Sequence, residues 1–259
     1  MNTLRFNPAL VQFFEEAGEL ARFSGRFFME WYRPRYEIRE FVRQCFIIGY
    51  RSLPLVALTG FIIGLVLALQ LHPSMVRYGI QSQIPAMVSI AIVREIGPML
   101  TALIFAGKIG SSIGAELGSM KVTEQIDAME VSGTNPFKYL VVTRVVAATV
   151  MLPVLVLLSD AIALYGAFVG VNIKDLMSLH LFWNQVVDNL VFSDVIPAFI
   201  KTFFFGFAVG IIGCYKGYYS KKGTEGVGRS ANSAVVVASV MIFVLDLLAV
   251  QLTDVLGFN

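Results

Sequence analysis

The sequence predicts an all-α integral membrane protein with an N-terminal interfacial amphipathic helix, five transmembrane helices and a short cytoplasmic helix between the second and third spans. Three observations lead to this prediction. The 259 residues are 56% hydrophobic and only 15% charged, and the mean hydropathy of +0.72 lies well above that of soluble domains. Five apolar runs each supply the ~20 residues that a helix needs to cross the hydrocarbon. Basic residues also gather on one side of these runs.

The N-terminal segment is predicted to form an amphipathic helix over residues 9–31. Its apolar residues recur at steps of three and four, with Glu and Arg on the opposite face; they are Leu10, Phe13, Phe14, Ala17, Leu20, Ala21, Phe27, Phe28 and Trp31. The helix is too polar to span, its aromatic residues suit the membrane interface, and Pro34 ends it. A small soluble helical hairpin is the alternative. We assign residues 1–52 to this cytoplasmic, interfacial lead-in and residues 53–259 to a five-span domain.

The five predicted spans cover residues 53–71, 84–106, 145–171, 195–215 and 234–256. The first run is short and contains Pro54, Gly60 and Gly64, so a tilted or partial crossing is an alternative to a full one. The loop between the third and fourth spans carries an apolar stripe with Trp183, which suggests a surface helix. An odd number of spans places the two termini on opposite sides of the membrane.

The basic residues orient these spans. Of the 20 Lys and Arg residues, two lie within predicted spans, and two more, Arg77 and Lys174, lie on one side of the membrane. The other sixteen all lie on the N-terminal side. Because cytoplasmic loops are enriched in Lys and Arg, the N-terminus is predicted to be cytoplasmic and the C-terminus to lie across the membrane.

The loop over residues 119–135 carries its own helix signals. A helix from residue 124 to residue 132 is predicted, with Thr123 as N-cap, Gly133 in the left-handed position after the last turn and Pro136 preventing continuation. Val122, Ile126 and Met129 fall on one face, and the opposite face carries the acidic residues Glu124, Asp127 and Glu130. The pattern fits a docking element for a cytoplasmic protein, and it fits a solvated connector equally well.

Four ionisable residues lie at hydrocarbon depth in the predicted spans: Arg94, Glu95, Lys201 and Asp246. Two more lie near that depth, Asp160 in the third span and Glu116 at a cytoplasmic end. An unpaired charge at the bilayer centre costs at least ~2.5 kcal/mol, so these side chains are expected to pair with one another. Such a neutral network would tie the second, fourth and fifth spans together. It would act as a clamp on helix packing or as a relay for protons or ions, and the matched charges favour the clamp.

No catalytic pattern is visible in the sequence. Residues 223–230 follow the spacing of a Walker A loop, but Arg229 stands where that motif requires Lys, and no strand is predicted before it. No metal-binding spacing of Cys or His occurs. The chain is therefore predicted not to be an enzyme, and active transport would need energy from another chain or from an ion gradient.

Small residues cluster at the end of the second span. They stand four apart at Gly107 and Ser111, and again along Gly110, Gly114 and Gly118. This spacing permits close helix contact in lipid. The contact is predicted to lie either between two subunits or within one chain.

Two blocks of sequence resemble a known family. They are IVREIGPMLTALIFAGKIGSSIGAELGSMKVTEQIDAMEVSGTNP at residues 92–136 and EGVGRSANSAVV at residues 225–236. Both are similar to the permease subunits of the MlaE type, and the similarity extends over essentially the whole chain. One departure is Lys108, at a position that is often Arg in that family; the charge is kept, but bidentate phosphate binding would be lost.

The resemblance implies an ABC transporter that moves phospholipid between the bacterial inner membrane and a periplasmic ring of mammalian-cell-entry proteins, contributing to the lipid asymmetry of the outer membrane. This chain would form a homodimer, with its C-terminus in the periplasm. The expected partners are two cytoplasmic ATPase subunits that use ATP and Mg, a small STAS-domain regulatory subunit and a hexamer of mammalian-cell-entry domains. Neither nucleic acid nor a cofactor bound by this chain is expected.

The resemblance also implies roles for particular residues. The loop over about 120–135 would hold the coupling helix that contacts the ATPase, through Thr123, Glu124, Ile126, Asp127, Met129 and Glu130. The family's intramembrane charges match Arg94, Glu95, Lys201 and Asp246. A lipid cavity between protomers would be lined by Leu67, Leu71, Met75 and Tyr78.

Other functions remain open to the sequence. An ion-coupled secondary transporter of an amphipathic substrate is the main alternative, and it would need an ionisable residue available for coupling and, usually, an internal repeat. No repeat is apparent among the five unequal spans. A membrane enzyme acting on lipid would need a cluster of His or carboxylate residues near an interface, and His72 and His180 are isolated in the sequence.

Overall fold

The computed structural model describes residues 8–33, 37–221 and 223–255, with side chains described from residue 14 onward. Within these residues the chain is helical and contains no strand, which confirms the predicted all-α fold. Five helices are long and apolar enough to cross a membrane, as predicted: Ile38–Tyr78, Gln81–Val122, Phe137–Asn172, Phe192–Tyr218 and Thr224–Val255. The side chains of Leu10 and Phe13, and Leu256 of the predicted fifth span, lie outside the described residues.

Helix α1 (Pro8–Trp31) packs against the ends of the spanning helices. The rings of Phe23 and Phe137 lie 5.0 Å apart in an edge-to-face arrangement. The Tyr215 hydroxyl donates to Glu19 over 2.8 Å, and Lys216 pairs with Glu16. The buried aromatic residues of α1 therefore bind protein, while Phe14, Phe28 and Trp31 stay exposed. Such a helix suits the predicted interfacial position and differs from an independent hairpin.

Helix α2 (Ile38–Tyr78) is continuous across the predicted boundary at residue 52, with Pro54 and Pro73 inside it. Its 41 residues correspond to about 60 Å, which is long enough for a full crossing. It packs mainly along α7 (Thr143–Asn172). A Cβ atom on Gly64 would overlap the main-chain oxygen of Ala163, so the two backbones meet where only glycine fits.

The second span is one helical rod that is longer than the predicted 84–106. It comprises a 3₁₀ turn at Gln81–Gln83, α3 (Ile84–Ala91), α4 (Gly97–Phe105) and α5 (Ser111–Val122), joined by π-helical segments at Ile92–Ile96 and Ala106–Gly110. Its final part is rich in small residues that pack within the chain. Gly114 would place a Cβ 3.3 Å from Ala231, whereas Gly107 faces open space. At Gly114 the intramolecular alternative is therefore the one observed.

The remaining helices complete a bundle with two distinct ends. A third π-helical segment, Phe137–Val142, leads into α7, and α9 (Phe192–Tyr218) and α10 (Thr224–Val255) follow. The short helix α6 (Gln125–Val131) lies at one end, called here the α6 side, together with α1. The predicted surface helix, α8 (Leu179–Asn189), lies at the other end, the α8 side, and is capped by the Ser178 hydroxyl.

The core consists of two clusters stacked along the bundle. The larger lies toward the α6 side and includes the fully buried Phe105, Phe137 and Phe205. The smaller lies toward the α8 side, where Ile84 and Phe182 meet α2 and α7. Helix α10 contributes little to either cluster and exposes a long apolar surface, including Val240, Phe243, Leu247 and Leu252. Such a surface faces lipid or another apolar protein surface in a membrane.

Candidate functional sites: the intramembrane ion-pair cluster and helix α6

Three of the four predicted intramembrane charges meet at Lys201. This residue of α9 is 5% exposed, and its Nζ lies 2.7 Å from Glu95 Oε2 and 2.9 Å from Asp246 Oδ1. Glu95 belongs to the second span and Asp246 to α10, so one cation joins three spanning helices. The apolar surroundings strengthen this attraction but also make any unpaired member costly.

Arg94, the fourth predicted charge, has a partner that the sequence did not indicate. Its Nη1 lies 3.5 Å from Asp194 Oδ1 in the first turn of α9. Asp194 was missed because it precedes the apolar run that defined the fourth span. The available signal was an acidic residue at a helix N-terminus, where it is favoured by the helix dipole. Asp194 therefore joins the four predicted residues as a further charged group next to the cluster.

The π-helical segment Ile92–Ile96 carries both Arg94 and Glu95. A π turn inserts an extra residue into a helix and occurs frequently at functional sites. Here neighbouring residues of one segment reach different partners, Arg94 toward the start of α9 and Glu95 toward Lys201. The segment therefore positions the charges that the second span contributes to the cluster.

An apolar groove lies next to this cluster. It has a volume of about 300 Å³ and runs between α9 and α10, lined mainly by Ile196, Ile200, Phe204, Leu248 and Leu252, with Lys201 at its inner wall. Its lining suits hydrocarbon rather than a polar molecule.

Helix α6 begins differently from the prediction. Glu124, not Thr123, is the residue before the helix, and its φ of 60° is left-handed. The Thr123 hydroxyl donates to the Ser119 carbonyl over 2.8 Å, so Thr123 belongs to the end of α5. The C-terminal signal behaves as expected: Gly133 has a φ of 80°, and the N–H of Thr134 donates to Met129 over 3.1 Å.

The two faces of α6 have different environments. Ile126 is 1% exposed and the partly buried Met129 packs on the larger core cluster, so these apolar residues attach α6 to the bundle, and a role for them in contacting the ATPase stays a prediction. Glu124, Asp127 and Glu130 are exposed. Val131, which is not among the predicted coupling residues, is 91% exposed. The accessible surface of α6 is therefore acidic with one apolar residue.

Further contacts stiffen this end of the molecule. Lys121 pairs with Asp127 over 2.8 Å, and the Asn135 amide donates to Glu30 of α1 over 3.1 Å. The buried Arg144 reaches Glu116 of α5 over 2.8 Å and also donates to the Leu140 carbonyl. These bonds tie the loop that contains α6 to the helices around it.

The four predicted cavity residues lie in unequal environments. Leu67 and Leu71 pack against the smaller core cluster, and Met75 is buried within it. Within the single chain these three side chains therefore face protein rather than an open cavity. Tyr78, at the end of α2, is exposed. A role for these residues in lining a lipid cavity stays a prediction.

Other sequence candidates have structural explanations. The segment resembling a Walker A loop forms the start of α10, where Ser230 donates to the Gly114 carbonyl over 3.2 Å. Lys108 donates to the Arg51 carbonyl of α2. His72, which appeared isolated, lies in α2 and pairs with Asp175 over 2.8 Å. Among the described residues, no three His, Cys, Asp or Glu side chains come close enough to hold a metal ion.

The five helices able to span a membrane, the internal ion-pair cluster and the anchored end helix define a multi-pass membrane protein. Residues 41–252 match the family described as Permease MlaE, and the chain belongs to that family. This confirms the resemblance noted from residues 92–136 and 225–236.

Named relatives extend over most of the chain. A probable ABC transporter permease protein of Rickettsia felis is 41% identical over 243 residues, covering 93% of each chain. A similar protein of Synechocystis is 34% identical over 221 residues, covering 85% of this chain and 84% of the relative. The intermembrane phospholipid transport system permease protein MlaE of Haemophilus influenzae is 35% identical over 207 residues, covering 79% of each chain.

Proposed function

We propose that this chain is the membrane subunit of an ABC transporter that moves phospholipid between the bacterial inner membrane and a periplasmic mammalian-cell-entry protein ring, contributing to outer-membrane lipid asymmetry. Support comes from its family and from the name of the Haemophilus relative, which describes intermembrane phospholipid transport. The apolar groove beside α9 and α10 suits an acyl chain. Moving a lipid unchanged requires no catalytic group on this chain.

The observation that carries the proposal is the construction of α6. Ile126 is buried in the bundle and Met129 packs against it, while the acidic side chains and Val131 face outward at the end of the spanning helices. A rigidly attached, exposed helix can transmit movement from a bound protein, whereas a solvated connector would not need such an anchor. We assign to it the role of coupling helix for two cytoplasmic ATPase subunits that bind and hydrolyse ATP with Mg.

The proposed assembly is a homodimer of this chain. The exposed apolar surface of α10 supports this, because part of it can face a second copy. A small STAS-domain subunit would accompany the ATPases, and a mammalian-cell-entry hexamer would bind at the α8 side. The sixteen basic residues on the N-terminal side favour a cytoplasmic α6 side and a periplasmic C-terminus.

We assign the ion-pair cluster the role of a clamp between the second, fourth and fifth spans. Lys201 contacts both Glu95 and Asp246, so both carboxylates of the cluster are held by an ion pair. An ion-coupled secondary transporter would need a carboxylate that is free to take up the coupling ion. The pairing at Lys201 therefore favours the clamp over the ion-coupled alternative.

Reconstitution tests the proposal directly. The chain would be purified from native membranes with its associated proteins, which mass spectrometry would identify together with any bound lipid. The complex would then be placed in vesicles that contain a fluorescent phospholipid. We expect ATP-dependent movement of this lipid, and none with a non-hydrolysable ATP analogue. Recovery without any ATPase, or lipid movement driven by a proton gradient alone, would contradict the proposal.

A further inference from the structure

Asp160 is an intramembrane carboxyl group that lies outside the ion-pair cluster. It is in the middle of α7 and is 8% exposed. Its Oδ1 atom is buried and has no hydrogen-bond partner among the described residues. An orphaned polar atom at this depth requires an explanation, because each unsatisfied buried group costs free energy.

The charged groups near Asp160 already have partners. This part of α7 packs against α2, α4, α9 and the π-helical segment Ile92–Ile96. The charged side chains at this depth on those elements are Arg94, Glu95 and Lys201; Arg94 pairs with Asp194, and the other two pair with each other. A carboxylate without a cation is costly in the bilayer interior, so the carboxyl is expected to keep its proton and to act as a hydrogen-bond donor.

The carboxyl group of Asp160 lies against the second span at a place where main-chain carbonyl groups lack their usual hydrogen-bond donors. A Cβ atom on Gly97 would overlap Asp160 Oδ1 and would lie 2.9 Å from the Ile92 carbonyl oxygen. The N–H of Gly97 bonds to Ile92, five residues back. The Val93 carbonyl thereby loses its usual helical donor, and Pro98, the next residue, has no N–H. The bare glycine surface lets the acid approach this weakened part of the helix.

We propose that Asp160 is a positioning residue which, as a neutral acid, donates a hydrogen bond to the main chain of the π-helical segment Ile92–Ile96. This bond holds the segment in the conformation that directs Glu95 to Lys201 and Arg94 to Asp194. The third span thus supports the cluster without contributing a charge to it. The transport tests of this inference rest on the proposed function, whereas the spectroscopic test of the Asp160 protonation state does not.

Two substitutions at Asp160 separate the contributions of its hydrogen-bond donor, its possible negative charge and its side-chain volume. Asp160→Asn keeps a hydrogen-bond donor and can never be charged, while Asp160→Leu keeps a similar volume and removes the donor. In reconstituted vesicles with the partner ATPase, Asp160→Asn should retain lipid movement within about twofold of wild type, with the same pH profile. Asp160→Leu should lose about tenfold, the effect of one buried hydrogen bond. If Asp160→Asn abolishes transport, or Asp160→Leu leaves it unchanged, the inference is wrong.

Glycine substitutions in the second span give a matched pair. Gly97→Ala should displace Asp160 and reduce transport as Asp160→Leu does. Gly107→Ala adds the same methyl group where nothing lies within 4 Å in the chain, so it should have little effect. Equal loss in both variants would indicate a general sensitivity of the span and would overturn the specific role of Gly97.

Infrared spectroscopy tests the protonation state without any transport assay. Wild-type protein in lipid at neutral pH should show the C=O stretching band of a protonated carboxylic acid, and Asp160→Asn should lack it. Absence of that band from wild type would contradict the inference. If wild type moves no phospholipid but the band is present, the proposed function fails while the assignment of Asp160 stands.

Discussion

Lys201 is the cation that pairs with two carboxylates at hydrocarbon depth, Glu95 of the second span and Asp246 of α10. We predict that Lys201→Met destabilises the protein by about 2–3 kcal/mol, since it leaves Glu95 and Asp246 close together without a counter-charge and Glu95 is only partly buried. Thermal unfolding of the purified protein in detergent measures this. The exposed Lys174 provides a control, because Lys174→Met removes the same charge at the surface.

The double variant Lys201→Met with Asp246→Asn distinguishes a clamp from a relay. It removes a like-charge repulsion, so it should regain part of the lost stability. If the cluster is a clamp, transport should recover together with stability. If stability recovers and transport does not, the charges have a role in transport beyond packing. Unchanged folding and transport in Lys201→Met itself would remove the cluster from the mechanism.

The partner of a single side chain is difficult to predict from sequence when several hydrogen-bond or ion-pair partners lie within its reach. Thr123 is a good N-cap residue by type, but its hydroxyl bonds back to Ser119 and completes the preceding helix. Arg94 and Glu95 are adjacent, yet their partners are set by a π turn that propensity does not reveal. In contrast, the left-handed conformation after α6 requires only the backbone freedom of a glycine. Gly133 has the expected conformation.

At the scale of elements, α6 makes separate predictions for its two faces. Glu124→Lys should weaken stimulation of the partner ATPase by about tenfold, because it reverses a charge on the exposed surface of the proposed coupling helix. Folding should be unaffected, since the side chain is exposed and the new residue is no more strained at this φ. Copurification and ATPase rate measure the effect. Glu225→Lys, on the same side but in α10, is the matched charge reversal and should leave the rate near wild type.

The inner face of α6 should respond in the opposite way. Ile126→Asp buries a charge in the larger core cluster and should destabilise the protein by about 3 kcal/mol or more. The effect should appear as a lower unfolding temperature even without the ATPase. If Ile126→Asp unfolds normally and only ATPase binding is lost, Ile126 contacts the partner and the assignment of faces is reversed.

The contact between α2 and α7 depends on glycine. Gly64→Ala should destabilise the protein by about 2 kcal/mol, because the added methyl group would overlap the main chain of α7 and force the helices apart. Gly25→Ala in α1 meets nothing within 4 Å and should be neutral or slightly stabilising, as expected for a helical glycine in open space. Unfolding temperatures of the two variants provide the comparison, and equal values would show that the close approach has no energetic role.

The ends of the elements were harder to predict than their centres. Hydropathy located all five spans but shortened the second, because the small and polar residues after Phe105 do not look apolar. Their burial comes from α9 and α10, which are distant in sequence. The lead-in was likewise separated from the first span at residue 52, although the same helix continues through both. Tertiary packing, rather than local composition, determines these limits.

At the scale of the whole molecule, charge and hydropathy predict the number and orientation of the spans, but they do not predict which helices pack together. The number of spans follows from apolar length alone. Which helices touch does not, since the contact of α2 with α7 and the packing of α10 against α9 and α5 depend on side-chain shapes along entire helices. The same limit on prediction applies to the contact between subunits in the proposed homodimer. An exposed apolar surface in a membrane protein can bind either lipid or protein, so apolar sequence alone does not identify that contact.

The proposed orientation can be tested with two exposed residues at opposite ends of the bundle. Val131 is on α6, and Leu176, which is fully exposed, precedes α8. Cysteines at these positions, in a background with Cys45 and Cys214 replaced by Ala, report which side each occupies. A membrane-impermeant maleimide applied to cells with a permeabilised outer membrane should label Leu176→Cys at once and Val131→Cys only after the inner membrane is opened.

The expected result follows from the asymmetry of basic residues, which sets the direction of insertion through the short loops. The cysteine-free parent without added cysteines controls for background labelling, and labelling after solubilisation shows that both sites react. Labelling of Val131→Cys alone in closed cells would place α6 outside, where ATP is absent. That single outcome would reverse the orientation and remove α6 as the coupling helix, while leaving the fold and the ion-pair cluster unaffected.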